Sequence, residues 1–300
     1  MRLILIHGIN QQAGDSERLK AAWLGHLRGT LGLGEAWPLD RLTSVELPFY
    51  GKALFELTEN RADVAAVAMG AGDGDPGAEE FAAFAKAALV GMAVRMGASQ
   101  AEIEADAAGQ VEALGAGIHK RLFKAAARAI EAISPLHGNL ALRLLGQAHA
   151  YLKRPHIAQA VDDLVRPALE DDEPAIIVAH SLGTIVSFKL LREFADRGRP
   201  RSCPLYVTLG SPLGIQVVRG SFPPPRARPR GVAHWLNGAD KEDFVALQPE
   251  LTRDNFGIGI ENMSEIDNGY DDPHAIAGYL GYRPVAEAIA RAMPPAPNPA

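Results

Sequence analysis

Residues 175–191, Ala-Ile-Ile-Val-Ala-His-Ser-Leu-Gly-Thr-Ile-Val-Ser-Phe-Lys-Leu-Leu, constrain this chain more than any other segment. Their apolar start reads as a strand buried on both faces, as in a parallel sheet. The helix that follows without a break carries Ile185, Val186, Phe188, Leu190 and Leu191, too many apolar residues for one face, so it too is buried on most sides. A strand running straight into a helix leaves Ser181 at the tip of a tight bend. Such a bend needs small neighbours, and Ala179 and Gly183 stand two before and two after the serine. A serine hydroxyl is a weak nucleophile. Placing it on this kind of turn leaves room for a base on one side and for backbone donors on the other, which makes Ser181 a candidate nucleophile. The usual form of the turn has glycine at both flanking positions, and the single methyl of Ala179 is the smallest departure from it.

The remainder of the chain alternates strands with helices. A strand over residues 2–6 ends at His7-Gly8, a polar loop spans Asn10 to Gly14, and a helix over 16–31 starts at an Asp15 or Ser16 cap with Leu19, Trp23, Leu24 and Leu27 on one face. Residues 43–49 predict a second strand, broken by Pro48. From 52 to 150 the composition turns alanine-rich and helical, with helices expected over 52–69, 78–96, 100–114, 117–133 and 137–152 and glycine-rich joints at 70–77, 97 and 115–117. A helix over 155–169 leads back to the strand before Ser181. Further strands are expected over 204–209, 231–236 and, weakly, 256–261, with Asn237 to Asp240 as the loop after the second of these. Residues 219–230, rich in proline and arginine, predict an extended solvated loop, and a last helix is expected over 284–293. Alternating strands and helices imply a parallel sheet whose chemistry sits at the carboxyl ends of its strands. Ser181, His7-Gly8, Asp240, Asp243 and His274 all fall at such ends.

Composition narrows the partners. A net charge of −6 gives no electrostatic footprint for nucleic acid and no basic anchor for anionic membranes. Cys203 is the only cysteine, which excludes an internal disulfide and a thiolate metal site and fits a reducing compartment. The first residues read as a strand and not as a signal peptide, and the most apolar helix, between Lys86 and Arg95, is too short to span a bilayer. A cytoplasmic protein without a membrane span is expected. Asp271, Asp272 and His274 find no further ligands at metal-binding spacing, so no metal is expected. The other histidines, at 26, 119, 137, 149, 156 and 234, are scattered and read as surface or packing residues.

On the Ser181 turn the chain resembles the α/β-hydrolase superfamily, in particular its lipase- and esterase-like serine hydrolases. The resemblance covers 2–50 and 155–293 and leaves the helical block unmatched. It implies an α/β fold with a mostly parallel central sheet flanked by helices, a hydrolase core with a compact N-terminus. That core would comprise 1–51 and 151–293, with 52–150 as a helical insertion that is a cap or lid candidate, and 294–300 as a disordered tail. In this family an acid and then a histidine follow the nucleophile. The stretch Trp-Leu-Asn-Gly-Ala-Asp-Lys-Glu-Asp-Phe-Val-Ala resembles the acid-bearing segment and assigns the acid to Asp243, with Asp240 on the same loop as the alternative. The loop around His274 resembles the histidine loop before the last helix. His7-Gly8-Ile9-Asn10 resembles the His-Gly turn of lipases, which makes the amides of Ile9 and Leu182 the expected oxyanion hole and His7, Gly8 and Gly183 its supporting residues. His180 is expected to be a pocket or packing residue. The resemblance implies cleavage of a small-molecule or lipid-like carboxylic ester through an acyl-enzyme intermediate, with no cofactor, and leaves homo-oligomer formation open. Amide or thioester cleavage on the same triad, or a catalytically silent fold that serves as a binding module, are the other readings of these residues.

Overall fold

The computed structural model describes residues 1–11, 13–58, 76–109, 118–269 and 272–295. Residues 59–69 and 110–114 of two expected helices, 70–75 of the expected joint at 70–77, the joint at 115–117, Asp271 and the tail beyond 295 lie outside the described residues, and 76–77 already belong to a helix. Six strands, β1 (Arg2–Ile6), β2 (Ser44–Glu46), β3 (Ala175–His180), β4 (Cys203–Leu209), β5 (Val232–Asp240) and β6 (Glu261–Ile266), form one sheet in the order β2-β1-β3-β4-β5-β6. Every neighbouring pair is parallel. From β1 the chain steps to β2 on one side and then returns to β3 on the other. The boundary between β1 and β3 is thus the switch point, beyond whose carboxyl ends an open parallel sheet forms its crevice. Those ends are His7-Gly8 and Ser181.

The strand sequences divide between two apolar layers because successive side chains point to opposite faces. Ile4, Ile6, Ile177, Ala179 and Tyr206 join one core with the helices Pro155–Glu170 and Leu182–Asp196. Leu3, Leu5, Ile176, Val178 and Val207 join the other, against Trp23, Leu24 and Leu27 of the Ser16–Leu31 helix and the helices Ile276–Gly281 and Arg283–Arg291. Asp15 caps the first of these helices by accepting the Arg18 amide at 2.8 Å. Arg2, the one charge at the head of β1, is buried but paired with Glu46 and with the Ala168 carbonyl, each at 3.0 Å.

The structure corrects the sequence reading at four places. β5 continues through Asn237 and Gly238 to Asp240 instead of turning there, because the Asn237 amide is satisfied by Pro249 and Asn262, and Gly238 serves close packing: a Cβ would lie 2.8 Å from Leu209. The last strand is Glu261–Ile266, not 256–261. Gly257 and Gly259 press against the backbone of Arg226 and the side chain of Arg228, so the apolar 256–260 segment makes only a single bridge, Ala227 to Ile258, and the polar edge strand follows it. The arginines of 219–230 are not merely solvated. Arg219 donates to the carbonyls of Asp254 and Asn255, Arg226 to those of Phe222 and Phe256, and Arg230 to that of Ala195. The expected last helix is present as Arg283–Arg291, and ahead of it, where a loop is expected, stands a short helix, Ile276–Gly281, separated from it by the extended backbone of Tyr282.

Within 52–150 the described residues are helical except at 96–99 and Ser134, with a segment over 51–58 and helices Pro76–Arg95, Gln100–Gly109, Ile118–Ile133 and Pro135–Lys153. Phe81, Ile103, Phe123, Ile130 and Leu144 share the hydrophobic core that lines the Ile4 face of the sheet. Tyr151 donates to Asp162 at 2.7 Å, and Asp162 also pairs with Lys189, which ties the block to both helices of that face. No helix among the described residues is long and apolar enough to cross a membrane.

The tightest joint is where the Leu182–Asp196 helix starts against the end of β1. A Cβ on Gly183 would lie 2.5 Å from the His7 carbonyl oxygen and closer still to that of Ile6, the residue that ends β1 and is held there by its pairing with β3. Gly25, in the exposed middle of the first helix, has nothing within 4 Å of its would-be Cβ. Gly183→Ala should therefore lower stability by about 1–3 kcal/mol through overpacking, whereas Gly25→Ala should raise it by about 0.5–1 kcal/mol. Urea unfolding of the two variants checks this, and equal shifts would refute the packing argument.

Candidate active site

Ser181 is the single residue between β3 and the Leu182–Asp196 helix, at φ 54 and ψ −128. With Asn10 it is one of two non-glycine residues at positive φ among the described residues. Such a conformation costs on the order of 1–3 kcal/mol and persists only when its surroundings hold it. They do so here from several sides. The Ser181 amide donates to the Leu209 carbonyl at 3.0 Å, and its own carbonyl accepts from the Thr184 amide at 2.9 Å and the Thr184 hydroxyl at 2.7 Å. Gly8 touches the serine so closely that a Cβ there would be 2.6 Å from the Ser181 Cβ. Ala179 is fully buried, and its methyl is accommodated. Ser181 itself is only 1 % exposed, so the bend holds it inside the fold and not on open surface.

His274 and Asp243 complete a hydrogen-bonded chain. The Ser181 hydroxyl donates to His274 Nε2 at 2.9 Å, and His274 Nδ1 donates to Asp243 Oδ2 at 2.8 Å. The proton positions follow from the network: a carboxylate can only accept, so Nδ1 carries the proton and Nε2 is left as acceptor. Asp243 is fully buried, and its Oδ1 accepts from the amides of Val245 at 2.8 Å and Ala246 at 3.3 Å. Burial works to raise its carboxyl, but His274, the Tyr279 hydroxyl and the Val245 amide outweigh it and hold the group below its ordinary range.

Asp240 lies at the end of β5, not on the Asp243 loop, and it does not contact the imidazole. Its Oδ1 accepts the Glu242 amide at 2.7 Å and its Oδ2 the Asn268 amide at 2.6 Å. Asn268 in turn donates to the Pro273 carbonyl at 2.8 Å, next to His274. Asp240 thus joins the Asp243 turn to the His274 loop as a strut.

The loop after β1 is held by Tyr50. His7 Nδ1 donates to the Gly8 carbonyl at 2.7 Å, while its Nε2 accepts the Tyr50 amide at 3.2 Å. The Tyr50 hydroxyl donates to the His7 carbonyl, and the two rings stack at 4.1 Å. His7 therefore fixes the loop, and burial lowers its pKa to about 4. The amides of Ile9 and Leu182 have no hydrogen-bond partner among the described residues, although both residues are buried. Two unpaired backbone donors thus lie in the segments on either side of the Gly8–Ser181 contact.

Two positions of the candidate site escape sequence reasoning, Tyr279 and Gly210. His180, expected as a pocket or packing residue, lies against His274: Nε2 donates to the His274 carbonyl at 2.9 Å, the two imidazoles lie 4.7 Å apart, and burial together with the nearby His274 lowers the His180 pKa to about 3. Tyr279 donates to Asp243 Oδ2 at 2.7 Å and accepts the Asp240 amide at 3.1 Å. Its place five residues after His274, on a helix that turns back over the site, is a signal only in retrospect. Gly210, at φ 55, lies so near the pair that a Cβ would be 3.0 Å from both Asp243 Oδ2 and His274 Nδ1. Among the described residues no group of three or more His, Cys, Asp or Glu side chains could hold a metal ion.

No protein-family model, curated protein or solved structure matches the chain.

The two neutral histidines make stability depend on pH. Their folded pKa values, about 4 for His7 and about 3 for His180, lie below the ordinary 6.5. Below pH 6.5 the unfolded chain takes up protons that the folded chain refuses, so stability is full above that pH and falls as pH drops towards the folded values. Each histidine should contribute a slope approaching about 1.4 kcal/mol per pH unit. His180→Asn should be less stable than the parent at neutral pH yet show a shallower decline below 6.5 in denaturant titrations. A decline as steep as the parent's would refute the assignment.

Proposed function

We propose that the protein is a serine hydrolase of the α/β-hydrolase kind that cleaves carboxylic esters through an acyl-enzyme. The observation that carries this reading is the continuous chain from Ser181 through His274 to Asp243, set at the switch point of a parallel sheet on a strand-to-helix turn of positive φ. In the proposed cycle Ser181 Oγ attacks the ester carbonyl carbon while its proton passes to His274 Nε2. Asp243 keeps the imidazole in the required tautomer and stabilises the imidazolium. The Ile9 and Leu182 amides receive the oxyanion, which collapses with expulsion of the alkoxide; that group leaves with the proton from Nε2. Water then repeats the two steps on the acyl-enzyme and restores Ser181.

The same reading makes the helical block a cap over the crevice. Two contacts support it: the Pro76–Arg95 helix packs against the short Gln216–Arg219 helix and against Leu247 in the loop after β5, both at the carboxyl edge of the sheet. An apolar cap favours acyl chains or other apolar esters over peptides.

A fluorophosphonate probe should label the wild-type protein and leave Ser181→Ala unlabelled, and the same variant should lose turnover of p-nitrophenyl esters while remaining folded. Labelling that survives Ser181→Ala would sink the proposal. Asp243→Asn should cost about 10³- to 10⁴-fold in kcat, because the imidazole then holds the wrong tautomer. Asp240→Asn should cost far less, since an amide oxygen still accepts one of the two strut amides. A panel of esters of increasing chain length tests the cap: changes to apolar side chains over 89–96 that spare Gly91 and Arg95 should move chain-length preference more than the rate with p-nitrophenyl acetate.

A further inference from the structure

Arg95 is the last residue of the Pro76–Arg95 helix, yet its guanidinium reaches both ends of the loop that carries Asp243. Nη1 donates to the Lys241 carbonyl, and Nη2 donates to the Leu247 carbonyl at 2.8 Å. One helical turn earlier, Gly91 forms a notch for the Leu247 side chain: a Cβ on Gly91 would be 3.0 Å from Leu247 Cδ1. Positions 91 and 95 are one turn apart on the same helical face, so they engage the loop together. Within the loop Asp243 is held by the Val245 and Ala246 amides, and the β5 end is pinned by Asp240. The Leu247 end is pinned from the inserted helix.

We infer that Arg95 is a positioning residue for the Ser181 chemistry: by clamping the Lys241 and Leu247 carbonyls to the inserted helix, it holds Asp243 in register with His274. The inference rests on the hydrolase reading. A guanidinium suits the task because its rigid fork spans two carbonyls at once, whereas an ammonium reaches them as a point charge. The helical block is then part of the support of the acid as well as a cover for the crevice.

The test compares Arg95→Met, which keeps the stem and loses the donors, with Arg95→Lys. The substrate is p-nitrophenyl acetate, too small to depend on a cap pocket. Arg95→Met should lower kcat by about 10- to 100-fold with little change in KM, and Arg95→Lys should fall between it and the parent. In an Asp243→Asn background the same change should have almost no further effect, because the aligned acid is already lost. Arg128→Ala, which breaks the Arg128–Asp106 ion pair inside the block, should leave kcat unchanged. Amide hydrogen exchange supplies an arm that needs no activity: Arg95→Met should deprotect Val245 and Ala246 but not β3. Where turnover depends on Ser181, an unchanged kcat, or an equal loss in both backgrounds, overturns the inference. Where the wild-type protein neither turns over nor labels, the hydrolase reading fails, and unchanged exchange at 245 and 246 then overturns the clamp separately.

Discussion

The first turn of the Leu182–Asp196 helix rests directly on the last carbonyls of β1, and this contact has no slack. Gly183 can sit there only because it lacks a side chain, and Gly8 meets Ser181 from the opposite side under the same condition. Between these two glycines the chain must change from strand to helix within one residue, which forces Ser181 into its positive-φ conformation. The cost of that conformation is offset by the Leu209 carbonyl and by Thr184, whose hydroxyl also reaches Ser211 at 2.9 Å. A relaxed turn would let the serine rotate away from His274 and would give the Leu182 amide another partner. The strain and the free donor are two results of one packing constraint.

The other half of the site comes from the far side of the sheet, and its precision depends on buried polar struts. The Asp243 turn, the His274 loop and the helix carrying Tyr279 are separate segments, joined by side chains that each make two hydrogen bonds. Asp240 binds the Glu242 and Asn268 amides; Tyr279 bridges Asp243 and the Asp240 amide. Both oxygens of each buried carboxylate accept a hydrogen bond, and an unpaired one would cost more than the pair returns. Gly210 keeps the approach open, because any side chain there would displace the pair.

Much of this was legible before the fold was known. β1, β3 and β4 are apolar runs between polar punctuation, and the small residues around Ser181 required the tight turn. The choice between Asp240 and Asp243 was not legible, because it depends on where β5 ends. Asn237-Gly238 reads as a turn by propensity, and the hydrogen bonds of the Asn237 side chain together with the packing of Gly238 against Leu209 and Ile266 keep it in the strand. β6 was misplaced for a related reason. An edge strand with one half-exposed face carries little apolar signal, so the Phe-Gly-Ile-Gly-Ile run beside it looked the better candidate. The Arg95 contacts lie 146 and 152 residues from their partners and depend on how an inserted helix docks, which no local pattern encodes.

Three buried histidines stand around Ser181, and their partners divide the labour. His7 donates to one backbone group and accepts from another, which satisfies the neutral ring completely. His180 donates to a carbonyl and lies against His274, where a second positive charge would be repelled as well as desolvated. Both rings are therefore held neutral and serve as rigid, polar spacers. His274 alone faces a carboxylate. In the proposed cycle a proton arriving at Nε2 would meet a fixed negative charge behind that one ring and uncharged neighbours elsewhere, so the ion pair would form where the geometry can use it. The arrangement needs all three histidines buried: solvent at His7 or His180 would weaken the force that keeps them neutral and would loosen the loops that carry the Ile9 amide and His274.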